Sequence, residues 1–173
     1  MSEAANYSAL ETLRDGRRAE IRAFRPDDRA DMLAAVGQLS DKSLYRRFFV
    51  PKRELSQKEI AFFLDVDFIQ HVALVAVIED GGRPLIVGGG RYIVCQPQRA
   101  EVAFVVVDQF QGQGVGGALL RHLATLAKGA GLEALLADVL ADNTAMLKVF
   151  DKSGFCQNKS RDADVVHVCL HLS

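Results

Sequence analysis

The chain has 173 residues, 49% of them hydrophobic and 25% charged, and its 21 basic and 22 acidic side chains leave a formal charge of -1. That size suits one domain that buries roughly 70% of its extended surface. The near-neutral balance excludes a surface built to wrap a polyanion, while leaving room for a small anionic ligand. No apolar run reaches the roughly 18 residues that span a bilayer, and the stretch from Met1 to Asp15 carries no apolar signal core. Cys95, Cys156 and Cys169 are odd in number and widely spaced, which fits neither a disulfide framework nor a zinc site. The expectation is a cytoplasmic enzyme or binding domain that uses no metal, nucleic acid or membrane.

Residues 1–15 are polar and weakly patterned and read as a lead-in, helical or disordered, before a single domain over 16–173. A short strand is expected over 18–24. Pro26 then opens a helix whose buried stripe is Met32, Leu33, Val36 and Leu39, with Asp27 and Asp28 near its positive end. Ser40 caps a second helix, and Ser56-Gln57-Lys58-Glu59 is a capping box ahead of Ile60, Phe62, Phe63 and Leu64. The period then shortens to two. Strands are expected over 72–78 and 85–94, joined by the turn Asp80-Gly81-Gly82-Arg83. A third, over 101–107, is apolar on both faces after Glu101, as a covered central strand is. A helix over 115–130 turns Val115, Leu119, Leu123 and Leu126 inward and ends at Gly129 and Gly131. A strand over 132–140, a short helix over 144–153 stopped by Gly154, and a strand over 165–172 complete the chain. This order defines a mixed α/β or α+β sheet of about seven strands.

The chemistry is concentrated in Val107-Asp108-Gln109-Phe110-Gln111-Gly112-Gln113-Gly114-Val115-Gly116-Gly117, where four glycines fall within six residues between a strand end and a helix start. Unobstructed backbone N–H groups at a helix N-terminus suit a phosphate or diphosphate. A tight turn with no ligand is the plainer alternative. Gly112, Gly114 and Gly117 also spell the G-x-G-x-x-G of dinucleotide sites, with Asp138 about where a ribose-binding acid would stand. In that motif, however, the first glycine sits almost at the strand end. Here Asp108 to Gln111 intervene, and too little chain follows for a second nucleotide-binding half.

Gln111-x-x-Gly114-x-Gly116 instead resembles the Q/R-x-x-G-x-G/A loop of the GNAT superfamily of acetyltransferases, and the element order from Ile21 to Leu172 is similar to that fold. Asn143 leading a helix that ends in Gly154-Phe155 resembles the second GNAT signature. Within the superfamily, Ser43-Leu44-Tyr45-Arg46-Arg47-Phe48-Phe49 and the strand Ala100 to Val107 resemble the acetyltransferase domain of bacterial protein lysine acetyltransferases. The resemblance implies the GNAT acyl-CoA N-acyltransferase fold, a mostly antiparallel sheet with helices on both faces. It implies acetyl-CoA as cosubstrate and an amine acceptor, a protein lysine or a small molecule; a homodimer is compatible with it.

The same resemblance implies residue roles. Backbone amides of Gly112, Gln113, Gly114, Val115, Gly116 and Gly117, with Gln111, would hold the pyrophosphate. The pantetheine would pair with Val105, Val106 and Val107 as an extra strand, which needs a splay between that strand and the one over 132–140. Asn143 would meet the pantetheine or cap its helix, and Phe150 would pack against the pantetheine or in the core. Lys148 or Arg121 would meet the 3′-phosphate or stay solvated. Glu101 aligns with the family's strand glutamate and would serve as general base. It is the lone charge opening an apolar strand, so burial would raise its pKa toward a useful range; a charge at the solvent edge is the alternative. The N–H of Val107 is a candidate oxyanion donor. Phe150 stands where many members carry a proton-donating Tyr, which admits a second reading, a catalytically weak acyl-CoA sensor. His71 is expected as a satisfied strand-edge residue rather than a catalytic base, Arg46 and Arg47 as surface or structural charges rather than guides for an acidic substrate, and the cysteines as small buried hydrophobes.

Overall fold

The computed structural model describes residues 3–52 and 54–172. Its organising element is β3 (His71–Asp80), buried at eight successive positions because both faces of the sheet are covered there. Strand alternation sends Val72, Leu74, Ala76 and Ile78 into one core and Ala73, Val75 and Val77 into another. The first core lies beneath α4 (Val115–Gly129), which buries Val115, Leu119, Leu120 and Leu123. The second lies beneath α1 (Arg29–Gly37) and α3 (Gln57–Leu64), with Phe24 and Ile86 as its larger members.

Eight strands form one sheet in the order β1-β2-β3-β4-β5-β6-β8-β7. They are β1 (Ser8–Thr12), β2 (Arg18–Ala23), β3, β4 (Arg83–Gln96), β5 (Arg99–Val106), β6 (Ala134–Leu140), β7 (Cys156–Asp162) and β8 (Val165–His171). Among the described residues only the β5–β6 pair is parallel. Helices α2 (Asp41–Phe48) and α5 (Thr144–Asp151) complete the set. Among the described residues no helix is long and apolar enough to cross a membrane.

Two strands depart from the sequence expectation, and both lie at sheet edges. Residues 1–15, expected as a lead-in, instead supply β1, which pairs with β2 from Ser8↔Arg22 to Thr12↔Arg18; Met1 and Ser2 lie outside the described residues. β7 is largely polar and exposed, yet it pairs along its whole length with β8. An edge strand covers little core, so its apolar period is weak. The α1 stripe is shallower than expected: Met32, Leu33 and Val36 are half-buried, and only Leu39, beyond the helix, is buried. The cysteines are not buried hydrophobes either. Cys95 and Cys156 are exposed, at the end of β4 and the start of edge strand β7, and Cys169 is half-buried.

Glycine at 90 lets α4 lie directly on β4. A Cβ there would stand 2.9 Å from Leu123 Cδ1 and 3.1 Å from Phe104 Cβ, tighter than ordinary packing allows. This close seat fixes where the N-terminus of α4 points.

Candidate active site

β5 and β6 pair only at Arg99↔Ala134, Ala100↔Leu135 and Glu101↔Leu136. Beyond Glu101 they separate, opening the splay that the resemblance requires. The Val107 N–H donates to Val87 O (2.9 Å), so it is committed to β4 and is not free for an oxyanion. By alternation the N–H and C=O groups of Phe104 and Val106 point the other way, into the splay. An extended ligand arm there would pair with residues 104 and 106 rather than with Val105 or Val107.

After β5 a short 3₁₀ turn over Asp108–Phe110 leads into the glycine loop. Gly112 and Gly114 have φ of 82° and 94°, left-handed values that favour glycine. Gly114 caps α4 without a side chain, and the first intrahelical bond runs from Ala118 N–H to Gly114 O. The N–H groups of Val115, Gly116 and Gly117 therefore have no helical acceptor and sit at the positive end of a 15-residue helix. A Cβ at Gly112 or Gly114 would meet nothing within 4 Å, so the loop's outer face is open. Together the loop, the splay and α5 line a groove of about 460 Å³.

Most groove residues read from the sequence do line this space, including Gly112, Gly114, Val115, Gly116, Gly117, Val105, Val106, Asn143 and Phe150. Three use their side chains within the protein. Gln111 Nε2 donates to Val106 O (3.0 Å) and Ser43 Oγ (3.3 Å), tying the loop to β5 and α2. Asn143 Oδ1 accepts the Met146 N–H (3.3 Å) as an N-cap. Phe150 is 1% exposed and packs on Phe104 with centroids 5.6 Å apart. Gln113 is half-buried and its backbone carbonyl accepts the Arg14 N–H (3.0 Å). Arg121 and Lys148 both line the groove, and Arg121 is also paired with Glu11 (3.1 Å).

The groove runs into a larger cavity of about 860 Å³ between α2, α3, β4, β5, β6, β7 and β8. Arg47, Val102, Ala103, Ala137 and Asp138 border both spaces, which marks where a ligand in one would meet a ligand in the other. Glu101 lines the cavity beside this junction, and it is exposed rather than buried as the apolar strand led us to expect. It opens the strand at the point where pairing with β6 ends, so its side chain faces open space.

From the sequence several cavity residues have other leading roles, and Arg91 has none. Asp138 accepts from His167 Nδ1 (2.5 Å) across β6 and β8, where the sequence offered it only as a ribose acid. Arg91 on β4 and Arg47 on α2 both face the cavity, with Phe48, Phe62 and Phe63 as its aromatic wall. His71 is buried and positions Arg91: its Nδ1–H donates to Asp65 O (3.0 Å), and its Nε2 accepts from Arg91 Nη1 (2.7 Å). That pattern requires a neutral imidazole, assigned here from the bonding network. Burial and then the Arg91 charge hold its pKa below the ordinary histidine value. Single residues on α2 and β4 carried no sequence pattern that joins them; only the register does.

A loop of amides without helical acceptors, opening into a splay between two parallel strands, is the arrangement that the GNAT resemblance leads one to expect. The acetyltransferase (GNAT) family pattern matches residues 41–155, and the chain belongs to that family. It is 30% identical over 161 residues to an acetyltransferase of Pseudomonas aeruginosa, covering 91% of this chain and 87% of that protein. It is 31% identical over 144 residues to acetyltransferase Pat of Mycolicibacterium smegmatis, covering 82% of this chain and 42% of Pat, so it spans less than half of that relative. The crystal structure of the GNAT domain of S. lividans PAT superimposes with a TM-score of 0.85 at 36% identity, over 95% of this chain and 96% of that one.

Proposed function

We propose that the protein is an N-acetyltransferase that moves the acetyl group of acetyl-CoA to a primary amine, of a protein lysine or a small molecule, by direct attack in a ternary complex. The observation that carries this reading is the continuity of two spaces, the amide-lined groove and the cavity bordered by Glu101. In this reading the amides of Val115, Gly116 and Gly117 hold the pyrophosphate. The N–H and C=O of Phe104 and the N–H of Val106 pair with the pantetheine, while Val106 O stays with Gln111, and Phe150 with Phe104 forms its apolar floor. The thioester then lies at the junction.

Glu101 accepts a proton from the acceptor ammonium, and the neutral nitrogen attacks the acetyl carbonyl carbon. The C–N bond forms, the nitrogen of the tetrahedral intermediate releases its second proton to solvent, and collapse breaks the C–S bond. Phe150 has no proton to give, so the CoA thiolate leaves and takes its proton from solvent. The same buried phenyl favours the second reading, a sensor that binds acyl-CoA with little turnover.

Acetyl transfer to a panel of amines and lysine peptides, read by mass spectrometry, tests the reading alongside calorimetry with acetyl-CoA. Glu101→Gln should keep acetyl-CoA affinity while turnover falls about 10²–10⁴-fold, with much of the loss recovered at higher pH where more amine is already neutral. Tight acetyl-CoA binding with no turnover in either protein would establish the sensor. Equal turnover in both proteins would remove Glu101 from the chemistry.

A further inference from the structure

Two guanidinium groups stand at the acceptor cavity with no ion-paired carboxylate among the described residues. Arg47 and Arg91 lie over the Phe63 ring at 5.8 and 4.6 Å from its centroid, and Arg47 also lies 4.8 Å over Phe48. Arg91 donates to Phe63 O (3.1 Å) and to His71 Nε2 (2.7 Å), both uncharged acceptors. Among the described residues no carboxylate lies within ion-pair distance of either group. The acid that acts on Arg47 is Glu59, and its Oε1 is already taken by Lys52 (2.8 Å) and the Ser56 N–H (2.9 Å).

Burial pulls the Arg47 pKa down to about 10, and burial followed by the Arg47 charge pulls Arg91 to about 9. Both stay cationic at neutral pH. Two partly desolvated like charges side by side are costly unless an anion completes them. Elsewhere the fold supplies such an anion: buried Arg22 is met by both oxygens of Asp28, each at 2.8 Å. The missing counter-ion is thus a property of this cavity.

We propose that the acceptor amine carries a carboxylate, which the Arg47–Arg91 pair binds while the amine is presented to Glu101. This rests on the N-acetyltransferase reading. Register sets the spacing: Arg91 pairs with Ala103 and Ile93 with Glu101 across β4–β5. Arg91 and Glu101 are therefore diagonal neighbours on one face of the sheet, about 7–8 Å apart with their Cβ atoms somewhat closer. The anion site and the base are separated by the reach of a short aliphatic amine. Arg47 also borders the donor groove, so the bound carboxylate lies next to the place where the two substrates meet. The guanidinium fork matches carboxylate geometry and remains charged through the working pH range. The carboxylate has two sources, a small amino acid-like acceptor or an Asp or Glu beside a lysine in a polypeptide.

The test is a set of matched acceptors differing only in acid against amide. The small-molecule arm compares γ-aminobutyrate and ε-aminocaproate with their primary amides. The peptide arm compares blocked Ala-Ala-Lys-Glu-Ala with Ala-Ala-Lys-Gln-Ala. The expected result, in at least one arm, is a kcat/KM ratio of acid to amide of about tenfold or more, the worth of a charge-assisted hydrogen bond. The arm that shows it identifies the source. The ratio should fall toward one in Arg47→Gln and Arg91→Gln, and Arg91→Lys should retain part of it. A ratio is insensitive to a general loss of activity. If turnover is too low to measure, calorimetry of each acid and amide with the CoA complex reads the same preference. A ratio near or below one in both arms, by turnover or by binding, overturns the carboxylate site. Turnover of the amides would at the same time leave the acetyltransferase reading standing. Failure to bind acetyl-CoA would instead strike that reading.

Discussion

His71 connects stability to the cavity through a single proton. Its imidazole must stay neutral to accept from Arg91 and donate to Asp65 O, and Phe62 stacks on it at 5.2 Å. The folded pKa lies below the ordinary value, first through burial and then through the Arg91 charge. As pH falls through about 6.5, the unfolded chain therefore binds this proton before the folded one does, and stability declines until the folded pKa is passed. Urea unfolding at pH 7.5 and 5.5, a window in which ordinary carboxylates stay charged, should show a loss in the wild type that is smaller in His71→Gln. Equal losses in the two proteins would mean that His71 does not set this slope.

Among the elements, the loop and α4 depend on backbone conformation more than on side chains. Gly114 combines a φ of 94° with open space beyond it. Valine there is strained by the backbone and projects a branched side chain into the groove. Gly114→Val should weaken acetyl-CoA binding on the order of tenfold or more, because strain of about 1–3 kcal/mol is relieved only by moving the amides. A folded variant that binds like the wild type in calorimetry would place the diphosphate elsewhere. This element was readable in the sequence because glycine reports conformation directly, and β3, α4, α5 and the two Ser caps were readable because their period or capping chemistry is local. β1 and β7 were not, since an edge strand with a polar outer face has no strong period. The Arg47–Arg91 pair was hidden for a different reason: residues 44 positions apart meet only through the register of β4 and the seat of α2. Gln111 and Asn143 were found as groove residues, yet their bonds to Val106, Ser43 and Met146 are tertiary or capping details that spacing alone leaves open.

At the scale of the whole molecule, the start of the chain braces the donor site. The β1–β2 turn reaches the glycine loop, where the Arg14 backbone N–H donates to Gln113 O (3.0 Å) and Arg14 Nη1 donates to Gly112 O (3.0 Å). Alongside, β1 is fastened to the outer face of α4: Tyr7 O–H donates to His122 Nδ1, and His122 Nε2–H donates to Glu11 (2.7 Å), which also pairs with Arg121 (3.1 Å). A stretch without clear sequence pattern thus holds the segment with the clearest one. The loop carbonyls bonded by Arg14 lie just ahead of the amides proposed to bind pyrophosphate, so loosening them costs the ordering of those amides on binding. Arg14→Ala removes the side-chain bond and leaves the backbone bond, so acetyl-CoA affinity should fall about two- to tenfold, as expected for one hydrogen bond. The urea midpoint should barely move, because Arg14 is exposed. Calorimetry separates this from a direct ionic contact: a bracing role predicts a similar loss for acetyl-CoA and for 3′-dephospho-CoA, whereas a contact with the 3′-phosphate predicts a loss only for ligands that carry it. Unchanged affinity for both ligands would show that the loop keeps its shape without the Arg14 side-chain bond.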